Sequence, residues 1–100
     1  MFQLFIDTEA FQDIHQAAEW YELQSEGLGP RFKKQVISQI EGLKSRPFSY
    51  SVRYGEVRCM RIKKFPFLVH FTVDKVPRIV KIFAVVHCSR NPKIWLKKDR

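Results

Sequence analysis

The sequence predicts an α+β domain in which an N-terminal strand and a helical hairpin pack on a small twisted, mostly antiparallel sheet. Three features lead there. Apolar residues recur at helical spacing up to Leu43, the pattern turns to alternation after Pro47, and glycine or proline stands at each change.

Phe2 to Ile6 is a short apolar stretch with strand character, edge or central, and either Asp7 or Thr8 after it can cap a helix. In that helix Phe11, Ile14, Ala18 and Tyr21 form the apolar stripe, while Glu19, Glu22 and Glu26 lie on an outward stripe that reads as a solvated face. Gly27-Leu28-Gly29-Pro30 ends the helix on a residue tolerant of left-handed backbone and places proline in the first turn of the next. The second helix carries its apolar stripe on Phe32, Val36, Ile40 and Leu43. Arg46-Pro47 stops it, because proline disfavours helix for the residue before it.

Strands follow: a weak one near Tyr50 to Tyr54, a turn at Gly55-Glu56, and another strand from Val57 to Lys63. After the turn Lys63-Lys64-Phe65-Pro66, Phe67, Val69, Phe71 and Val73 alternate with Leu68, His70 and Thr72. Asp74 to Pro77 makes a hairpin loop. The run Ile79 to Val86 reads as a central strand with Val80, Ile82, Ala84 and Val86 on one side and Lys81, Phe83, Val85 and His87 on the other. His87 to Arg100 is expected to be a loop and short tail across the sheet. The sheet face away from the helices is then the functional candidate.

The 100 residues allow one domain, residues 1 to 100, and 45% hydrophobic with 28% charged residues is a globular balance. No apolar run approaches a bilayer span and the opening residues lack a cationic signal-peptide start, so a cytoplasmic protein without membrane contact is expected. Cys59 and Cys88 lack metal-ligand spacing and read as buried free thiols. Neither a metal nor a cofactor is expected. Charge is sorted by position: residues 1 to 50 hold five Lys/Arg against seven Asp/Glu, and residues 51 to 100 hold thirteen against three. A folded cationic half points to a polyanionic partner, either nucleic acid or an acidic protein.

Ala18-Glu19-Trp20-Tyr21 stands before Gly27-Leu28-Gly29, and Arg31-Phe32, Pro47, Val57-Arg58, Lys64-Phe65-Pro66-Phe67, Val86-His87, Arg90-Asn91-Pro92 and Trp95 follow. In this order, over nearly the whole chain, they resemble the RelE/ParE superfamily of toxins from bacterial type II toxin-antitoxin systems, in the branch called plasmid stabilisation proteins. The resemblance implies a toxin neutralised by a cognate antitoxin in a hetero-oligomer. Its target would be DNA gyrase in a ParE-like member, or messenger RNA at the ribosome in a RelE-like endoribonuclease. A non-catalytic nucleic-acid-binding module is a further alternative.

Metal-free RNA cleavage needs proton transfer and cationic stabilisation of the phosphorane. Arg58, Arg61, Lys63, Arg78, Lys81 and Arg90 are candidates for the charge, and His87 for the proton. Relatives that cut RNA often use a tyrosine near the C-terminus. The corresponding aromatic here is Trp95, whose indole N–H is no general acid or base at physiological pH, and this departure favours a ParE-like gyrase inhibitor. Arg58, Arg61, Lys63, Lys64, Arg78, Lys81, Arg90, Lys93 and Trp95 form the expected target- or antitoxin-binding set. The plainer readings stand beside these: lysines solubilise, Arg58 and Arg61 form structural ion pairs, His70 is a half-buried strand histidine, and Trp95 anchors the tail.

Overall fold

Asp7 closes the first strand and opens the first helix: its backbone N–H donates to the Ile82 carbonyl at 2.8 Å, and its carbonyl accepts from the Phe11 N–H at 3.1 Å. The computed structural model describes residues 1–89. In them β1 (Gln3–Ile6) leads into α1 (Thr8–Gln24) and α2 (Leu28–Gly42). A single 3-10 turn at Pro47–Ser49 then precedes β2 (Val52–Tyr54), β3 (Val57–Arg61), β4 (Phe67–Lys75) and β5 (Arg78–His87). The sheet order is β1-β5-β4-β3-β2, with β1 parallel to β5 and the other neighbours antiparallel. The fold is the expected α+β arrangement; β1 lies at an edge and β5 inside the sheet.

The two helices meet at Gly27, whose φ of 87° is the left-handed conformation that glycine adopts without strain. The Glu22 carboxylate accepts the Gly27 N–H at 3.0 Å and the Gly29 N–H at 2.9 Å. Glu22 is therefore no bystander on a solvated stripe: it satisfies backbone donors that the start of α2 leaves without helical partners. Those two bonds hold its carboxyl below the usual carboxylate range. Gly29 is required by close approach, since a Cβ there would stand 2.7 Å from the Ala18 carbonyl oxygen.

On α2 the stripe Phe32, Val36, Ile40 and Leu43 is buried as its spacing predicts. On α1 the buried line is Ala10, Ile14 and Ala18, with Tyr21 half-buried beside it, and Phe11 faces solvent. The correction has a simple cause: Ala10, Ile14 and Ala18 lie four apart, and the small alanines let α1 approach the sheet closely. Tyr21, Phe32, Phe65 and Phe67 form a cluster of rings 5.0 to 6.1 Å apart at one end of this core.

Strand β5 departs from regular alternation. His70 pairs with Ala84 and the next residue, Phe71, with Ile82, so Phe83 has no partner across the ladder. The bulge shifts the phase of everything after it. Val80 and Ile82 face the helices, but Val85, expected on the other side of the strand from them, joins them in the helix-side core, and His87 lies opposite Phe67.

Candidate functional site

The sheet face away from the helices is the functional candidate of the sequence. Its centre is apolar: Val57, Cys59 and Leu68 are buried together, with Tyr54, Phe83 and Cys88 packed against them. His70 is fully buried there, where its Nδ1 lies 3.0 Å from the Tyr54 hydroxyl and 3.5 Å from Cys59 Sγ. Burial pushes the Cys59 thiol up to about 11 against the opposing pull of the Arg53 charge. Cations stand at the margins. Arg61 is exposed and directs Nη1 toward Cys88 Sγ at 3.6 Å, and Lys81 pairs with Asp74 at 3.3 Å.

Arg58 is on the other side of the sheet. It pairs across the ladder with Phe71 of the helix-side core, donates from Nη1 to the Tyr50 carbonyl at 2.6 Å, and lies 5.0 Å from the Phe48 ring centroid. Arg78 occupies the same side, 4.6 Å over Phe2. Lys63 and Lys64 are exposed in the β3–β4 turn, where Lys64 takes a φ of 72° and the Lys63 N–H donates to Gln39 Oε1 at 2.7 Å. The strand cations thus divide into an Arg61 and Lys81 group and an Arg58 and Arg78 group with the sheet between them. Arg90, Lys93 and Trp95 lie outside the described residues.

His87 faces a cavity of about 580 Å³ between α1 and the end of β5, lined among others by Asp13, Trp20, Tyr21, Phe67 and Val85. The cavity exists because β1 stops at Ile6, opposite Ile82, and leaves the rest of that β5 edge without a strand. Asp13 covers part of it, with Oδ2 accepting the Val85 N–H at 2.9 Å. The His87 ring meets Phe67 edge-on at 5.3 Å. Its Nδ1 accepts the Ser89 N–H at 3.1 Å and lies 2.8 Å from Ser89 Oγ, which leaves the ring proton of the neutral form on Nε2.

No protein-family model and no curated protein matches the sequence. Solved structures do match the fold. A chromosomal ParDE toxin-antitoxin system from P. aeruginosa superposes with a TM-score of 0.75 at 16% identity, over 87% of this chain and 96% of that one. The E. coli toxin RelE, as a double mutant in the free state, gives 0.69 at 9% identity over 98% and 94% of the two chains. The toxin-antitoxin complex RelBE2 from Mycobacterium tuberculosis gives 0.64 at 18% identity over 86% and 96%. The chain shares the fold of these ParDE, RelE and RelBE2 structures.

Within this fold Arg61 and His87 lie on opposite faces of the sheet. Arg61 has Cys59, Leu68 and Cys88 as its neighbours on that face, whereas His87 is turned into the cavity on the opposite face. Among the described residues no group of three or more His, Cys, Asp or Glu is placed to hold a metal ion, and no helix is long and apolar enough to cross a membrane. Sequence reasoning missed Asp13, Phe48 and Lys75. Asp13 gives no signal in the chain, because its partner is 72 residues away. Phe48 had one: it follows Pro47 directly, outside any apolar stripe, where an aromatic residue has no periodic reason to be.

Proposed function

We propose that this chain is the toxin of a type II toxin-antitoxin pair, neutralised by a cognate antitoxin, and that it acts by ParE-like inhibition of DNA gyrase. The fold likeness to RelE and ParE proteins along most of the chain supports the toxin reading. One observation carries the choice of target: His87 and Arg61 lie on opposite faces of the sheet. In-line cleavage of RNA needs a proton-transfer group and a cation converging on one phosphate. With His87 turned away from Arg61, the imidazole on the Arg61 face is that of His70, which is fully buried with its Nδ1 beside the Tyr54 hydroxyl and Cys59 Sγ and so is not open to a phosphate. A toxin that works by seizing a protein target needs no proton transfer. The cavity beside α1, with Trp20 and Phe67 on its walls, offers apolar side chains of an antitoxin a place to be buried.

The test is to induce the chain alone and together with its neighbouring antitoxin, and to follow growth, DNA breaks, supercoiling and transcript integrity in the same cells. Growth arrest reversed by the antitoxin, with gyrase-dependent breaks and intact transcripts, is the expected result. Unimpaired growth at confirmed folded expression would remove the toxin reading, and cleaved ribosome-bound messenger RNA would replace gyrase with the RelE-like target.

A further inference from the structure

Phe48 sits among cations at the corner where the 3-10 turn meets the β4–β5 hairpin. It is 44% exposed, with the Arg58 guanidinium 5.0 Å and the Lys75 ammonium 5.7 Å from its centroid. Its ring meets Phe2 edge-on at 5.7 Å, and Phe2 in turn lies under Arg78 at 4.6 Å. Arg46 lines the same shallow hollow as Phe2, Phe48 and Arg78. Lys75 and Arg78 are register partners at the hairpin end, while Asp74 points to the opposite face and is taken by Lys81. Among the described residues, none of Arg46, Arg58, Lys75 and Arg78 has a carboxylate partner.

Four gathered cations repel one another, and here two of them are fixed by a backbone carbonyl and by rings instead of splaying into water. Such an arrangement is complementary to an anion held at a defined place. Exposed apolar groups are interleaved with the charge: Val76 at the hairpin tip is 92% exposed, and Val52 faces Arg58 across the ladder and is also exposed. Val52 lies on β2, the last strand of the sheet, whose outer edge pairs with no strand among the described residues and so presents backbone groups that an extended chain can bond. Nucleic acid fits less well. Cations beside the Phe48 ring hinder base stacking, and phosphates do nothing for Val52 and Val76.

We infer that this corner is a docking surface for an acidic polypeptide segment that also carries apolar side chains. The carboxylates would meet Arg58, Lys75 and Arg78, and the apolar groups would cover Phe48, Val52 and Val76. The inference holds whether or not the chain is a toxin, because it rests on this corner alone.

The experiment is fluorescence anisotropy on the full chain with a labelled peptide of alternating Glu and Leu, beside single-stranded DNA of equal charge. The peptide is expected to bind, to weaken as salt rises, and to weaken at least about tenfold in the double variant Lys75→Glu with Arg78→Glu. Both residues are exposed at a hairpin end, and a thermal melt matching the parent confirms that the variant folds. Should it fail to fold, Arg46→Glu and Val76→Ser supply the same comparison for charge and apolar contact separately. Equal peptide affinity in parent and folded charge-reversal variants would overturn the proposal. So would preferential binding of the DNA that is lost on charge reversal, since that would make the corner a nucleic-acid surface.

Discussion

Arg58 and Arg61, three residues apart on β3, project to opposite faces of the sheet. Arg58 reaches the Tyr50 carbonyl and the Phe48 ring, whereas Arg61, among the described residues, reaches only toward the Cys88 sulfur. Their substitutions therefore report different things. Arg58→Ala is expected to cost about 1 to 3 kcal/mol, because it strands a carbonyl acceptor and removes a charge-assisted bond. Arg61→Ala is expected to stay within about 0.5 kcal/mol of the parent, as exposed positions with only a weak sulfur contact among the described residues do. Urea unfolding of both variants checks this. Any loss of toxicity in Arg61→Ala at parental stability then belongs to the surface and not to the fold.

What the chain made legible depended on whether its periodicity was marked by polar residues. The α2 stripe was readable because Lys33, Lys34, Ser38 and Glu41 separate Phe32, Val36, Ile40 and Leu43. In β5 nothing marks the phase: Phe83, Ala84, Val85 and Val86 are all apolar, so one extra residue is invisible in the run. The same blindness hid the turning of His87 toward the helices. Arg58 and Arg61 differ in strand parity, and regular alternation alone separates them. The grouping of both into one site followed from charge, which says nothing about direction.

The Glu22 bonds to the start of α2 give stability with a defined pH response. Its carboxyl is held below the ordinary range by the Gly27 and Gly29 N–H groups, so its contribution is present above the unfolded-state value and is lost as pH falls through the lowered folded value. Glu22→Gln keeps one acceptor oxygen and removes the charge. The parent is expected to melt higher than Glu22→Gln at neutral pH, and the gap in Tm should close on acidification. A constant gap down to strongly acid pH would show that charge is not what Glu22 contributes.

Gly29→Ala tests the close approach of the helices. With the added methyl carbon 2.7 Å from a backbone oxygen, α2 must move away from α1, at an expected cost of about 1 to 3 kcal/mol as for other overpacked positions. Gly42, with open space around the corresponding point, is the control. Gly42→Ala should equal or exceed the parent in a thermal melt, since alanine is favoured over glycine in a helix.

The two thiols should separate by reactivity. Cys59 is buried with its thiol pushed up to about 11, whereas Cys88 is partly exposed. Only thiolate reacts with an alkylating reagent. Peptide mapping after brief iodoacetamide treatment of the native chain near neutral pH is expected to find the label on Cys88 well before Cys59. Equal labelling would mean that the apolar face around Val57 and Leu68 opens readily in solution.

His87 decides between the two targets. If it transferred a proton during RNA cleavage, His87→Gln would retain a hydrogen-bonding side chain, remove the titration, and lower cleavage by roughly two to four orders of magnitude. The geometry argues for a different outcome. Nδ1 is engaged by Ser89, the ring packs edge-on against Phe67, and the open side meets the cavity beside α1, away from Arg61. His87→Gln is therefore expected to lose about 1 kcal/mol of ring packing while growth arrest persists, with intact transcripts and gyrase-dependent DNA breaks. A thermal melt must accompany the growth assay, because an unfolded variant would mimic loss of function. Folded His87→Gln that no longer arrests growth, paired with a parent that cuts ribosome-bound messenger RNA, would make the chain an endoribonuclease and His87 its proton-transfer group. Folded His87→Gln that still arrests growth but escapes its antitoxin would instead place the antitoxin in the cavity, where the imidazole is one wall.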